Sequence, residues 1–215
     1  MDDPAVDAGE LALNFDDIEV ANRHFGGVAP VARAIFSHGA QSWLDVGCGS
    51  GDIARALLRE ARRRGRQLHV VALDRSDAIL SIARARAKEE PQLRFVRGDA
   101  TALPFADGSF DIATCNLALH HFEADQAPLV LRELRRVSRV TPLVCDLERS
   151  RLGYIAALLF ARVVAKNRLT KHDGPLSVKR AYTKRELLAF ASAAGWRAPH
   201  AERSPFFRVV LGDRG

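Results

Sequence analysis

The stretch Leu44-Asp45-Val46-Gly47-Cys48-Gly49-Ser50-Gly51-Asp52 decides the fold of this chain. An apolar run enters three glycines at alternate positions and then a segment of helical spacing. Glycine reaches positive φ without strain and has no Cβ, so it suits a backbone that must pass close to another group. The stretch therefore predicts a strand, a tight loop and a helix, with the loop against a bound ligand.

The glycine spacing narrows the class of ligand. In the dinucleotide fingerprint G-x-G-x-x-G, a pyrophosphate lies at the helix N-terminus. Here the third glycine, Gly51, comes one position early, and Asp52 stands where that fingerprint has glycine. A carboxylate there suits the helix dipole but repels a diphosphate, which disfavours a dehydrogenase. The loop indicates a nucleoside without phosphates, and Asp45 can meet a cationic amino group. S-adenosylmethionine (SAM) fits these features.

Four ordered segments carry a resemblance to a known family. The glycine stretch resembles motif I, [DE]-x-G-x-G-x-G, of class I SAM-dependent methyltransferases. Three further segments resemble the second strand with its terminal acid, the loop after the third strand, and the fourth strand: Val70-Val71-Ala72-Leu73-Asp74, Gly98-Asp99-Ala100-Thr101-Ala102-Leu103-Pro104-Phe105, and Phe110-Asp111-Ile112-Ala113-Thr114-Cys115-Asn116. The resemblance covers roughly residues 40–146 and the C-terminal end. It implies methyl transfer from SAM, with S-adenosylhomocysteine (SAH) as product.

Strands and helices alternate along the chain, which is typical of a parallel sheet with helices on both faces. The resemblance implies an α/β fold with a Rossmann-like, doubly wound, seven-stranded sheet, mostly parallel and completed by a C-terminal antiparallel hairpin. The length of 215 residues predicts a single domain over residues 1–215. We expect residues 1–38 to form a helical cap, and residues 148–182 to form either a substrate lid or a dimer contact.

Cofactor-binding residues are expected at the carboxyl ends of the strands, where doubly wound sheets bind ligands. Asp74 is expected to accept both ribose hydroxyls, and Arg75 to lie against the adenine. Asp99 is expected to accept the adenine amino group, with the Ala100 amide facing a ring nitrogen and Asn116 beside the methionine tail. Turn or capping duty is the alternative for the two aspartates. The loop supplies the remaining residues, with the Cys48 thiol as packing: Asp45, Gly47, Cys48, Gly49 and Gly51.

His120 and His121 are the candidates for a general base, because imidazole titrates near neutral pH and can take a phenolic proton. Packing or a backbone hydrogen bond is the alternative for either ring. SAM already carries an activated methyl group, so alignment and exclusion of water are the other demands on the protein.

The acceptor is expected to be a small molecule. Asn116 is followed by Leu117-Ala118-Leu119, whereas amino-base methyltransferases have [DNS]-P-P-[YF] at this place. The chain is similar to the ubiquinone/menaquinone-biosynthesis and natural-product methyltransferases, which implies a phenol, quinone precursor or polyketide and favours O-methylation. We expect the apolar run at 154–160 to lie over this acceptor and the turn signal Gly174-Pro175 to fold the chain back over it. His172, Arg180 and Tyr182 are expected to bind the acceptor. A packing helix or a dimer contact is the alternative for this segment.

Composition bears on the partners. The formal net charge of +6 raises the alternative of an RNA methyltransferase, but only five of the 32 basic residues are lysines, which is typical of a GC-rich genome. The three cysteines have no metal-ligand spacing, and no apolar run reaches the ~20 residues of a membrane span. The acidic start of the chain is unlike a signal peptide. We therefore expect a cytoplasmic monomer or homodimer without a metal. A cofactor-binding protein without turnover is the remaining alternative.

Overall fold

The computed structural model of this chain describes residues 8–163 and 167–215. Its seven strands are β1 (Ser42–Val46), β2 (His69–Asp74), β3 (Leu93–Arg97), β4 (Phe110–Asn116), β5 (Ser138–Leu147), β6 (Pro199–Ser204) and β7 (Arg208–Asp213). They form one sheet in the order β3-β2-β1-β4-β5-β7-β6. Strands β1 to β5 run parallel, and β7 is antiparallel to both β5 and β6. The predicted doubly wound sheet with an antiparallel C-terminal hairpin is confirmed.

Helices cover both faces of this sheet. They are α1 (Ala8–His24), α2 (Ala29–Ser37), α3 (Asp52–Arg63), α4 (Asp77–Arg86), α5 (Ala127–Val137), α6 (Arg151–Val163), α7 (Arg168–Arg180) and α8 (Lys184–Ala193). Successive strand residues point to opposite faces. Accordingly, Trp43 of β1 belongs to the apolar core under α2 and α3, whereas Leu44 and Val46 belong to the core under α5 and α8. Two apolar layers thus hold the sheet rigid beneath its carboxyl ends.

Two helices begin at capping residues that the sequence predicts. The Ser76 hydroxyl accepts the Ile79 N–H at the start of α4, and Thr183 and Glu186 form a capping box at the start of α8. At the N-terminal end of the chain, Glu19 of α1 is instead fixed by ion pairs with Arg55 of α3 and Arg86 of α4. These pairs hold α1 across the helices that follow β1 and β2.

The C-terminal region holds one correction. Gly174-Pro175 was expected to mark a turn, but Pro175 lies inside α7. A proline within a helix loses one backbone hydrogen bond and tends to bend the helix, at about 3 kcal/mol or more. Pro175 is buried, and the contacts between α6 and α7 are among the most extensive between any two helices. Tertiary packing therefore overrides the local turn signal.

The outer face of α6 is apolar and exposed. Leu152, Ile155, Leu159 and Val163 follow helical spacing, and Val163 has 81% of its surface accessible. In the described ranges, no helix has the length and apolar character needed to cross a bilayer.

Candidate active site

The glycine loop between β1 and α3 is pressed against the ends of β2 and β4. The backbone N–H groups of Gly47 and Cys48 both donate to the Leu73 carbonyl, at 2.8 and 3.0 Å. Gly47 has a φ of 72°, and a Cβ at this position would lie 2.5 Å from the Ala118 Cβ. The loop therefore requires glycine here, both for its left-handed backbone and for its close approach to the chain leaving β4.

A cavity of about 630 Å³ opens beside this loop at the carboxyl ends of β1 to β4. It is lined by all but one of the predicted cofactor residues: Asp45, Gly47, Cys48, Gly49, Asp74, Arg75, Asp99, Ala100 and Asn116. Gly51 is outside this lining and is corrected from a cofactor contact to a turn residue. It adopts a φ of 70° just before α3, and a Cβ there would lie 3.1 Å from the Phe95 ring.

Three of the four carboxylates that line this first cavity, those of Asp45, Asp52 and Asp74, have raised pKa values. Burial, with repulsion from the other two carboxylates, raises the pKa of Asp45 to about 7. Hydrogen bonds from Asn116 and Thr114 oppose this shift. Burial also raises the pKa of Asp52 and of Asp74. Each carboxylate is poorly hydrated and lies near another negative charge. A cationic ligand therefore stabilises the ionised form of all three.

Asn116 presents an unpaired acceptor at the same wall. Its Nδ2 donates to Asp45 Oδ1 at 3.1 Å and to Thr114 Oγ1 at 2.9 Å. Its Oδ1 is buried and has no hydrogen-bond partner within the described part of the chain. A buried acceptor beside a buried carboxylate is complementary to an ammonium group. SAM carries an ammonium and a sulfonium charge, so the residues of this cavity fit it.

Asp74 and Asp99 combine the two roles that the sequence left open. Asp74 accepts the backbone N–H groups of Gly49 and Ser76, at 3.2 and 3.1 Å. Asp99 Oδ1 accepts from both the backbone and the hydroxyl of Thr101, each at 2.8 Å. These hydrogen bonds stabilise the local turns, and both carboxylates also line the cavity.

A second cavity of about 320 Å³ adjoins the first and is mostly apolar. Four aromatic rings, from the turn after α1, from α6 and from the β6–β7 turn, line it: Phe25, Phe160, Phe206 and Phe207. The Phe25 ring packs edge-on against Phe160 and Phe206, with centroids 5.5 and 5.3 Å apart. Four residues line both cavities: Ile18, Asn22, Leu117 and His121. The two cavities are therefore neighbours, one polar and acidic, the other aromatic.

His120 is buried in the wall of the second cavity, on a single 3-10 turn (Leu119–His121) after β4. Its Nδ1 lies 2.7 Å from Asp146 Oδ1, and its backbone N–H donates to Asp146 Oδ2 at 3.0 Å. Burial alone would raise the pKa of Asp146, but His120 and the backbone hydrogen bonds hold that pKa below its ordinary value. An ionised carboxylate only accepts, so Nδ1 carries the proton and Nε2 is the basic nitrogen.

His121 occupies a different environment from its neighbour. It is exposed, lines both cavities, and its ring centroid lies 4.3 Å from that of His120. The pair therefore consists of one buried histidine fixed by a carboxylate and one exposed histidine at the boundary of the cavities.

Backbone strain is concentrated around the second cavity. Leu117, Phe206 and Phe207 have φ values of 52°, 62° and 57°, and they are the non-glycine residues with positive φ in the described ranges. All three line this cavity. Such conformations cost on the order of 1–3 kcal/mol each and cluster at functional sites. Phe206 and Phe207 form the turn between β6 and β7, and Leu117 directly follows β4, so the strained backbone lies at turns that border the aromatic cavity.

Comparison with known proteins agrees with this geometry. Residues 44–140 match the family model described as a methyltransferase domain. This segment of the chain is similar to methyltransferase domains. The match begins in β1, includes the glycine loop, and ends in β5.

Relatives and solved structures extend the comparison. The 2-phytyl-1,4-naphtoquinone methyltransferase of Thermosynechococcus vestitus is 44% identical over 94 residues, which cover 44% of this chain and 40% of that protein. The ubiquinone/menaquinone biosynthesis C-methyltransferase of Dinoroseobacter shibae is 38% identical over 116 residues, covering 53% and 44%. The chain thus spans less than half the length of either relative. A SAM-dependent methyltransferase from Aquifex aeolicus has the same fold, with a TM-score of 0.67 at 14% identity over 97% of this chain and 98% of that one. The SAM-dependent methyltransferase fold predicted from the sequence is confirmed.

The predicted acceptor-binding residues His172, Arg180 and Tyr182 lie elsewhere in the structure than expected. None of them is among the residues that line the two cavities. The His172 side chain is 78% exposed beside Asp173, and Arg180 is exposed at the end of α7. Tyr182 is buried on the α8 side, where its hydroxyl donates to the Phe122 carbonyl at 2.6 Å. The expectation that these side chains line the acceptor cavity is corrected.

The sequence did not predict three features of the site: Asp146, Arg208 and the aromatic rings of the second cavity. Asp146 lies near the carboxyl end of β5, and this position could have identified it by the same rule that selected Asp74. Arg208 and the aromatic rings gave no comparable signal, because α1, α6 and β7 meet only in the folded chain. The 148–182 segment does line the second cavity through inner faces of α6 and α7.

Proposed function

We propose that this chain transfers the methyl group of SAM to a hydroxyl oxygen of a small aromatic acceptor, with His120 as general base. The observation that carries the proposal is the buried His120–Asp146 pair in the wall of an aromatic cavity that adjoins the acidic one.

The first cavity supplies the groups that would hold SAM. Asp45 and the Asn116 carbonyl oxygen would bind the ammonium group, and Asp74 and Asp99 would bind the ribose and the adenine amino group. When bound, SAM supplies an activated methyl group on a sulfonium. Leu117 and His121, which line both cavities, stand at the boundary that the methyl group must cross.

His120 is arranged to accept a proton from the acceptor. Asp146 holds the imidazole by Nδ1 and by the backbone, so the ring has one orientation and one tautomer. Nε2 then takes the hydroxyl proton, and the imidazolium that forms is stabilised by the Asp146 carboxylate. The acceptor becomes an oxyanion, which is a far better nucleophile than the alcohol.

The acceptor class follows from the walls of the second cavity. Four phenylalanines favour a flat apolar ring over an aliphatic or nucleic-acid substrate. The names of the two relatives refer to quinones, and a reduced quinone is a phenol with an acidic hydroxyl. A phenol or hydroquinone therefore meets both the shape of the cavity and the need for a base.

The test is a methyl-transfer screen with isotope-labelled SAM against naphthols, hydroquinones and catechols. Mass spectrometry detects the added methyl group, and NMR distinguishes a methoxy product from a ring methyl. With the best acceptor, we expect His120→Gln to lower the single-turnover rate by on the order of a hundredfold, with SAH affinity unchanged. The exposed His38→Gln variant is the matched control and should behave as wild type.

A change of acceptor separates proton removal from mere packing. A dinitrophenol is already fully ionised at neutral pH, so it needs no base, and His120→Gln should methylate it at nearly the wild-type rate. If the variant is equally slow on ionised and neutral phenols, His120 is not the base. A ring-methyl product would move the target atom to carbon, and bound SAM without any product would favour a binding protein.

A further inference from the structure

Arg208 is an unusual residue for its place in the fold. It is the first residue of β7, opposite Leu147 of β5, and its side chain lines the second cavity. Only 4% of its surface is exposed, and no other arginine or lysine in the described ranges is buried. A buried guanidinium is costly, so it is normally paired with a carboxylate.

The pairing of Arg208 is incomplete. Its Nε donates to the Phe25 carbonyl at 2.5 Å, and Nη1 is enclosed without a hydrogen-bond partner among the described residues. No carboxylate of the described ranges lies within ion-pair distance of it. Burial lowers the pKa of Arg208 from its ordinary value, although the negative charge of Asp146 opposes this shift. A buried charged donor without a partner is strongly unfavourable, because it has lost its hydrogen bonds to water.

The other unsatisfied polar groups of this cavity are also hydrogen-bond donors. The Nδ2 of Asn14, also buried in the wall, has no hydrogen-bond partner within the described residues. The cavity has two carboxylates, Asp17 and Asp173, and both are engaged. Asp17 accepts the backbone N–H of Asn167 at 2.9 Å, and Asp173 lies 3.0 Å from His172 Nδ1. The unsatisfied groups of the cavity are therefore donors, and one of them is cationic.

We propose that Arg208 binds a carboxylate of the acceptor, so that the preferred substrates are aromatic acids with a hydroxyl group rather than neutral phenols. This inference rests on the proposed function insofar as the second cavity is taken as the acceptor site. The carboxylate completes the hydrogen bonds of the guanidinium, and the ring of the acceptor lies among the phenylalanines. Arg208 thereby acts as a specificity-determining residue, while His120 acts on the hydroxyl.

Binding to the SAH-loaded protein tests this inference without any turnover. The probes are 1-hydroxy-2-naphthoate, its methyl ester and 1-naphthol, measured by calorimetry at neutral pH, where the acid is ionised. We expect the wild-type protein to bind the acid about 10- to 100-fold more tightly than the ester, as for a charge-assisted hydrogen-bond pair. Arg208→Gln should remove this preference, Arg208→Lys should keep part of it, and the exposed Arg185→Gln variant should keep all of it.

The outcomes separate this inference from the proposed function. If wild type binds the ester as tightly as the acid, or if Arg208→Gln retains the preference, the inference is overturned even when methyl transfer is observed. If the acid is preferred through Arg208 but is never methylated, the binding site stands and the proposed reaction fails. Should Arg208→Gln fail to fold, the comparison of acid and ester on the wild-type protein still decides.

Discussion

Asp45 should make the affinity for the cofactor depend on pH. Its carboxyl group has a pKa of about 7 in the free protein, because burial and two neighbouring carboxylates disfavour its charge. If the ligand ammonium group binds only the ionised form, the apparent dissociation constant scales as one plus the ratio of protonated to ionised Asp45. With a pKa of about 7, this factor is about 11 at pH 6.0 and about 1.3 at pH 7.5. Affinity should therefore fall about eightfold on going from pH 7.5 to pH 6.0.

The direction of this pH dependence follows from the raised pKa of Asp45. A raised carboxyl pKa means that the free protein holds a proton at pH 6.0, and a cationic ligand must displace it, so binding releases protons at low pH. Calorimetry with SAH in buffers of different ionisation enthalpy measures both the affinity and the released protons. SAH is the better ligand here because it lacks the sulfonium charge and tests the ammonium contact alone.

The Asp45→Asn variant isolates this group from Asp52 and Asp74, whose pKa values burial also raises. The variant should bind SAH weakly at both pH values and lose most of the pH dependence. An exposed carboxylate, Glu202→Gln, is the control and should retain the wild-type profile. Equal wild-type affinity at pH 6.0 and 7.5, or an unchanged eightfold dependence in Asp45→Asn, would refute the reasoning.

Three further predictions concern single residues. Gly47→Ala should destabilise the fold by several kcal/mol and abolish SAH binding, because its Cβ would lie 2.5 Å from that of Ala118 on a left-handed backbone; thermal unfolding and calorimetry measure both effects. Asp74→Asn should weaken SAH binding on the order of a hundredfold with the fold retained, and an unchanged affinity would exclude a ribose contact. Tyr182→Phe should cost about 1 kcal/mol of unfolding free energy through loss of the bond to the Phe122 carbonyl, while acceptor KM stays at the wild-type value.

The sheet and the first cavity could be predicted because their signals are local in the sequence. The strand, glycine loop and helix of residues 44–63 are one continuous segment, Asp74 is the last residue of β2, and Asp99 lies two residues after β3. The rule that ligands bind at the carboxyl ends of parallel strands then brings these residues together without any knowledge of tertiary packing. The role of Gly51 could not be predicted in this way, because glycine spacing alone does not distinguish contact with a ligand from contact with Phe95.

The second cavity could not be predicted because its walls come from distant parts of the chain. A turn at Gly174-Pro175 predicts the wrong residues at the cavity, because Pro175 lies inside α7. With α7 continuous, the residues that line the cavity follow helical spacing: Thr170, Asp173, Gly174, Ser177 and Val178. His172 and Arg180 lie off this stripe, and Tyr182 lies beyond the helix end. His120 was found from its position after β4, whereas its partner Asp146 lies 26 residues further on.

The two cavities draw on different stretches of the chain, and this division has an evolutionary consequence. Apart from α1, the acidic cavity is built from residues 45–126, within the segment that matches the methyltransferase domain. Outside residues 14–25 and 117–121, the aromatic cavity is built from residues 147–208, beyond that segment. Substitutions in residues 147–208 can alter the shape of the aromatic cavity while the residues of the acidic cavity are retained. On the proposed function, the acceptor can thus change in evolution while the residues that hold the methyl donor are retained.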